Sequence, residues 1–251
     1  VHTTTTSPHR PRISVLALAV SLALPFSVQA QDDDSAPGRS EEPAALDVIS
    51  VTAQRRVEDA QDVPIAITPL SEEKLDILGS GGEDIRFLSG RLPSLLIESS
   101  FGRAFPRFYI RGLGNTDFDL NSSQPVSLVY DEVVQENPIL KGFPVFDLEQ
   151  IEMLRGPQGT LFGRNTPAGV IKFESRKPSE EREGYAQVSY GSHQSVNFEG
   201  AVGGALAPGW TARIAGLAQV RDDWVDNTFT GQNGALEGYD EYAARFQLAY
   251  S

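Results

Sequence analysis

Four stretches in the last third of the chain alternate with period two: residues 184–191, 195–203, 210–221 and 241–250. Their even positions hold Ala186, Val188 and Tyr190, then Val196, Phe198, Gly200 and Val202, then Trp210, Ala212, Ile214, Gly216, Ala218 and Val220, and finally Tyr242, Ala244, Phe246, Leu248 and Tyr250. None is charged. The odd positions include Gln187, Ser189, Asn197, Glu199, Arg213, Gln219, Arg221, Glu241, Arg245 and Gln247. Successive strand side chains point to opposite faces, so each stretch presents one apolar and one polar face. A half-buried soluble sheet alternates in the same way, but its strands run to ~5–6 residues, whereas membrane strands need ~9–11. The last three stretches run nine to twelve. Tyr190, Trp210, Tyr242 and Tyr250 stand near strand ends, where an aromatic girdle would sit. The connection over residues 222–239 is long and polar and the one over 204–209 short, the asymmetry of loops and turns at the two ends of a membrane sheet.

The other end of the chain reads as an address. Residues 1–30 carry Arg10 and Arg12, then an apolar run over 13–26, then Val28-Gln29-Ala30 with small residues suited to cleavage, which is the order of a secretory signal. The run is interrupted by Ser14, Ser21 and Pro25 and is too short to span a bilayer. Without it, 19 basic and 34 acidic side chains remain, a charge of −15. Such an acidic chain lacks the basic face of a nucleic-acid binder. Cysteine is absent, and His193 is the one histidine outside residues 1–30, so disulfides, thiolate metal sites and Ser/His relays have no material to work with.

Residues 31–45, rich in acids, Pro, Ser and Gly without a large apolar side chain, form a tether. Directly after it, Asp47-Val48-Ile49-Ser50-Val51-Thr52-Ala53 is β-branched and favours an extended backbone. On a leash, such a segment can add itself to another protein's sheet edge; it can equally be the first strand of the domain that follows. From 57 to about 177 the pattern predicts a small α+β unit. It has a helix over 71–78 with Ser71 as N-cap and Gly79 past its end, a second over 83–88, and strands near 95–98, 108–111, 126–134 and 170–174. Arg111 and Arg155 each precede a glycine in apolar surroundings, where a charge must be paired or exposed. The glycine-rich run 156–165 lacks the Gly-Lys-Ser/Thr ending of a phosphate loop, which excludes an NTPase reading.

Residues 47–53, Ile110-Arg111-Gly112, and above all the run 147–165 (DLEQIEMLRGPQGTLFGRN), continuing through Pro167-Ala168-Gly169-Val170-Ile171, resemble the TonB-dependent outer-membrane receptor family. The resemblance implies an α+β plug domain followed by the first antiparallel strands of a transmembrane β-barrel, about four of an expected twenty-two. The organisation it implies is a signal peptide over 1–30, a flexible segment with the TonB box over 31–56, the plug over 57–178 and the start of the barrel over 183–251. Asp47, Val48, Ile49, Ser50, Val51, Thr52 and Ala53 are then the segment captured by TonB, which works with its inner-membrane energising complex. Arg111 and Arg155 are then plug arginines that pair with barrel carboxylates. The implied location is the cell outer membrane of a Gram-negative bacterium, with plug and TonB box facing the periplasm. The implied partners are TonB, outer-membrane lipid and a bulky scarce ligand such as a ferric siderophore; no nucleic acid, catalytic residue, cofactor or metal ligand is expected. One departure stands at Asp131-Glu132, where many members have Asp-Gly at a tight turn. Twenty-two strands need roughly 220 residues, so the chain reads as the N-terminal portion of a longer receptor. The alternative is a truncated periplasmic module that binds TonB and transports nothing.

Overall fold

A computed structural model describes residues 49–72, 74–75, 84–117, 119 and 121–251. The chain divides into two units, residues 1–46 and 47–251, and all described residues fall in the second. The predicted export signal, the tether, Asp47, Val48 and most of the helix predicted over 71–78 lie outside the described residues.

Among the described residues the first strand is β1 (Ser50–Val51), which pairs antiparallel with β2 (Glu58–Asp59). β3 (Ala66–Ser71) follows. The second predicted helix is a single 3₁₀ turn over Ile85–Leu88, started by Asp84, whose carboxylate accepts from the Arg86 N–H at 3.0 Å. β4 (Leu95–Glu98) and β5 (Arg107–Ile110) pair antiparallel. Arg111 lies past the strand in a left-handed conformation, φ 53°.

The predicted strand over 126–134 is two strands, β6 (Val126–Tyr130) and β7 (Val133–Gln135), joined by Asp131 and Glu132. Both turn residues have positive φ, 45° and 67°, the geometry whose twist matches antiparallel strands. Asp131 braces the turn by accepting from the N–H and hydroxyl of Ser175 at 2.9 and 2.7 Å. Glu132 has no glycine-like freedom there, and a left-handed non-glycine residue costs on the order of 1–2 kcal/mol.

β8 (Leu148–Arg155) and β9 (Gly169–Ser175) complete a five-stranded sheet of order β3-β8-β9-β6-β7, in which β6 and β9 run parallel. The composition of β8, LEQIEMLR, favours helix; pairing on both sides, with β3 and β9, overrides that local preference. Gly169 allows the close start of β9: it has φ 152°, and a Cβ there would lie 2.2 Å from the Leu154 carbonyl oxygen. One face of the sheet carries Ile151, Met153, Ile171, Phe173 and Leu128 into the main core with Phe87, Leu88 and Phe108. The opposite face is half apolar, with Leu154, Val170 and Val129, and half charged, with Glu152, Lys172 and Glu174.

β10 (Glu183–Gly191), β11 (Ser195–Ala207), β12 (Trp210–Arg221) and, after the short hairpin of β13 (Val225–Asn227) and β14 (Gln232–Leu236), β15 (Tyr239–Tyr250) form a separate antiparallel wall of order β10-β11-β12-β15. Rows such as Glu183↔Gly203↔Arg213↔Gln247 keep the parity of all four strands aligned. The even side chains Val188, Tyr190, Phe198, Val202, Ile214, Tyr242, Phe246 and Leu248 stand exposed on the outer face. The odd side chains Ala201, Ala215 and Leu217 pack on Phe146 of the plug, with Tyr185 and Ala243 beside them. The wall is an open sheet with β10 and β15 as its outer strands.

Candidate functional site

The segment singled out for strand addition sits on the half-charged face of the plug sheet. Val51 and Ala53 are fully buried against Leu154, Phe162, Val170 and Val129. Alternation then turns Thr52 toward the charged half. Its N–H donates to Glu152 Oε1 at 2.5 Å, its carbonyl accepts from Lys172 Nζ at 3.3 Å, and its hydroxyl meets Lys172 Nζ at 2.6 Å and also Glu174. β1 adds main-chain pairing with β2, and Ile49 accepts from the Ala60 N–H at 2.9 Å.

Lys172 is the centre of this cluster, with no exposed side-chain surface and ion pairs to Glu174 and Glu132, both at 2.6 Å. A buried amine is costly unless paired. Burial alone would push Lys172 down, but hydrogen bonds to Glu132 and Glu174 outweigh it and its pKa rises. Glu174 is pushed up by burial, yet hydrogen bonds from Lys172, Thr52 and Gln150 bring it below the usual carboxylate range. Glu152 goes the other way: burial dominates, Glu174 adds like charge, and its pKa is raised despite the Thr52 N–H. One oxygen of Glu152, Oε2, is buried without a hydrogen-bond partner.

The two arginines read from the sequence are near each other but meet no carboxylate among the described residues. Arg155 ends β8 and donates from Nη2 to the Thr68 hydroxyl, while its Nε is buried and unpartnered. Burial, then the like charge of Arg111, lowers its pKa. Arg111 is exposed on its left-handed turn.

Sequence reading missed the contact that joins plug to wall. Asp147, immediately before β8 and with φ 49°, has a fully buried carboxylate. It accepts from Arg213 of β12 at 2.6 Å and from Arg245 of β15 at 2.9 Å. Arg213 also pairs with Glu183 at 2.8 Å; Arg245 donates to the Asp147 carbonyl at 2.6 Å and to the Tyr130 hydroxyl. The Asp147 N–H donates to Glu199 Oε1 at 2.9 Å, and Gln247 reaches Ser175 at 2.9 Å. The available signal was parity: Arg213, Arg245, Glu199 and Gln247 all lie on the odd, polar face.

At the end of the wall remote from the Pro208–Gly209 turn, a cleft of about 900 Å³ opens between plug loops and wall. Arg86, Arg91, Arg103 and Arg221 line it with Phe101, Tyr239 and four acids. Arg103 pairs with Glu241 at 2.5 Å and stacks over the Tyr239 ring at 3.5 Å. Arg86 pairs with Asp84 at 2.8 Å, so the lining is mixed in charge and not a basic surface.

Residues 59–170 match the TonB-dependent Receptor Plug Domain. The chain is 28% identical over 225 residues to the Pesticin receptor of Yersinia enterocolitica, covering 88% of this chain and 31% of that protein. It is 27% identical over 222 residues to the Iron-regulated outer membrane virulence protein of Vibrio cholerae serotype O1, covering 84% and 32%. The ferric yersiniabactin uptake receptor FyuA from Yersinia pestis superposes with a TM-score of 0.66 at 26% identity, over 73% of this chain and 28% of that one. The chain spans about a third of the length of the curated relatives it matches. A plug sheet clamped to antiparallel strands that alternate apolar-out and polar-in, together with these matches, identifies residues 59–170 as a TonB-dependent receptor plug domain and shows the whole chain to be similar to outer-membrane uptake receptors.

Proposed function

We propose that the chain supplies the plug and first wall strands of an outer-membrane transporter that takes up a bulky scarce ligand, with a ferric siderophore as the substrate class. The observation that carries this reading is the two-faced wall: its outer face offers apolar side chains to lipid while its inner face holds the plug through Asp147, Arg213 and Arg245. Relatives named for ferric yersiniabactin uptake and for iron regulation support the substrate class.

In this reading Asp47, Val48, Ile49, Ser50, Val51, Thr52 and Ala53 face the periplasm and are the segment TonB captures by strand addition. Work drawn from the inner-membrane proton gradient then displaces part of the plug, and only noncovalent contacts break. Arg111 and Arg155 carry positive charge that barrel carboxylates compensate, which locks the plug.

The test is Ile49→Pro in the receptor that carries this chain. Proline removes a main-chain donor and disturbs strand addition, so energised uptake of a ferric chelate is lost while binding at the cell surface is retained. Uptake at the starting rate would reassign the segment.

A further inference from the structure

We infer that Lys172, held by Glu132 and Glu174, is a latch that keeps residues 49–53 docked on the plug and out of reach of a partner strand. The inference rests on the proposed TonB-binding role of that segment and adds how its availability is set.

The argument begins with the main chain of Thr52. A partner that captures an extended segment does so through that segment's N–H and C=O groups. Here the Thr52 N–H is taken by Glu152, and the Thr52 C=O accepts from Lys172 at 3.3 Å and from the Arg55 N–H at 2.9 Å. Docking and capture therefore compete for the same two groups. The flanking Val51 and Ala53 are fully buried on the sheet, so capture also requires their withdrawal.

Lys172 is what makes docking hold. Glu174 and Glu152 lie beside it on one face, with Glu152 directly across the β8–β9 ladder. Without an amine between them these carboxylates would repel each other and would not gather at Thr52. Its second ion-pair partner, Glu132, comes from the β6–β7 turn. Glutamate is unfavourable at that place in the turn, since Glu132 is left-handed at φ 67°. The same residue places a carboxylate 2.6 Å from Lys172 and within 3.6 Å of Arg55, just beyond the docked segment. A strained turn is thus coupled to retention of the segment, through residues read separately in the sequence.

The chain has no cysteine, so single reporters are clean. Val51→Cys reports undocking and Leu128→Cys, buried on the opposite face of the sheet, reports the integrity of the plug. The full 251-residue chain in detergent micelles is labelled with a maleimide, with and without Lys172→Met or Glu132→Gln. The expected result is at least tenfold faster labelling at residue 51 with Lys172→Met and about threefold with Glu132→Gln, while residue 128 stays protected. Equal rates at residue 51 across the three backgrounds would overturn the latch. If Lys172→Met also exposes residue 128, the half-exposed Glu132→Gln decides: faster labelling at 51 alone supports the latch, unchanged labelling overturns it. The partner reading is tested separately with the purified periplasmic domain of TonB. Faster labelling together with tighter binding supports both; faster labelling with no binding in any background keeps the latch and removes the TonB assignment.

Discussion

Replacing Asp147 by alanine leaves two arginines facing a hole. Arg213 keeps Glu183 at 2.8 Å, but Arg245 keeps only the Tyr130 hydroxyl and the carbonyls of residues 146 and 147 as acceptors. Removing one member of a buried ion pair costs ~3–5 kcal/mol because the other charge stays desolvated. With one acid retained by Arg213, the lower end applies, about 3 kcal/mol. Since 1.36 kcal/mol is a factor of ten, plug–wall separation becomes roughly a hundredfold more populated. Amide hydrogen exchange reads this directly. The Asp147 N–H, bonded to Glu199, and the Arg176 N–H, bonded to the Asp147 carbonyl, exchange faster by that factor. Asp147→Asn, which keeps an acceptor and the volume, falls between wild type and Asp147→Ala. In a double-mutant cycle, Asp147→Ala and Arg245→Ala couple by ~0.5–3 kcal/mol. Strict additivity, or unchanged protection at both amides, would refute the idea that this cluster holds the plug to the wall.

Arg111→Ala or Arg155→Ala weakens plug retention in the receptor, read as faster limited proteolysis; unchanged protease resistance and transport in both would remove their locking role. Ile214→Lys places a charge on the outer face of β12, costs ~2–4 kcal/mol at mid-bilayer and reduces membrane partitioning; an unaffected variant would put that face elsewhere than against lipid. Lys141 is buried, bonded to the Val126 carbonyl at 3.2 Å, and burial pulls its amine down to about 8, with Glu136 opposing. Between about pH 8 and 10.5 the unfolded chain holds this proton and the folded one does not, so stability rises with pH across that window. Wild type therefore gains about 3 kcal/mol on Lys141→Met from pH 8 to 10.5, measured by urea unfolding; parallel curves would show that the amine is solvated.

The wall was legible because its determinants are local. Strand parity assigns each side chain to a face from sequence alone, and the predicted bounds for residues 210–221 coincide with β12. The run 147–165 was legible as a motif but not as structure, since Glu, Gln, Met and Leu say helix locally while two neighbouring strands impose extension. The hairpin of β13 and β14 was read as plain loop, its short strands falling in a polar stretch without an alternating apolar face.

The sequence by itself determined which residues face outward from the wall and where charges stand next to glycine, because each follows from nearest neighbours and period. Only the tertiary structure decided which charges meet. Asp147 lies 66 residues from Arg213 and 98 from Arg245, and Thr52 lies 100 residues from Glu152 and 120 from Lys172. Such pairings depend on strand order and on which sheet face turns toward which neighbour, and a charge's energy depends on the burial that this arrangement creates.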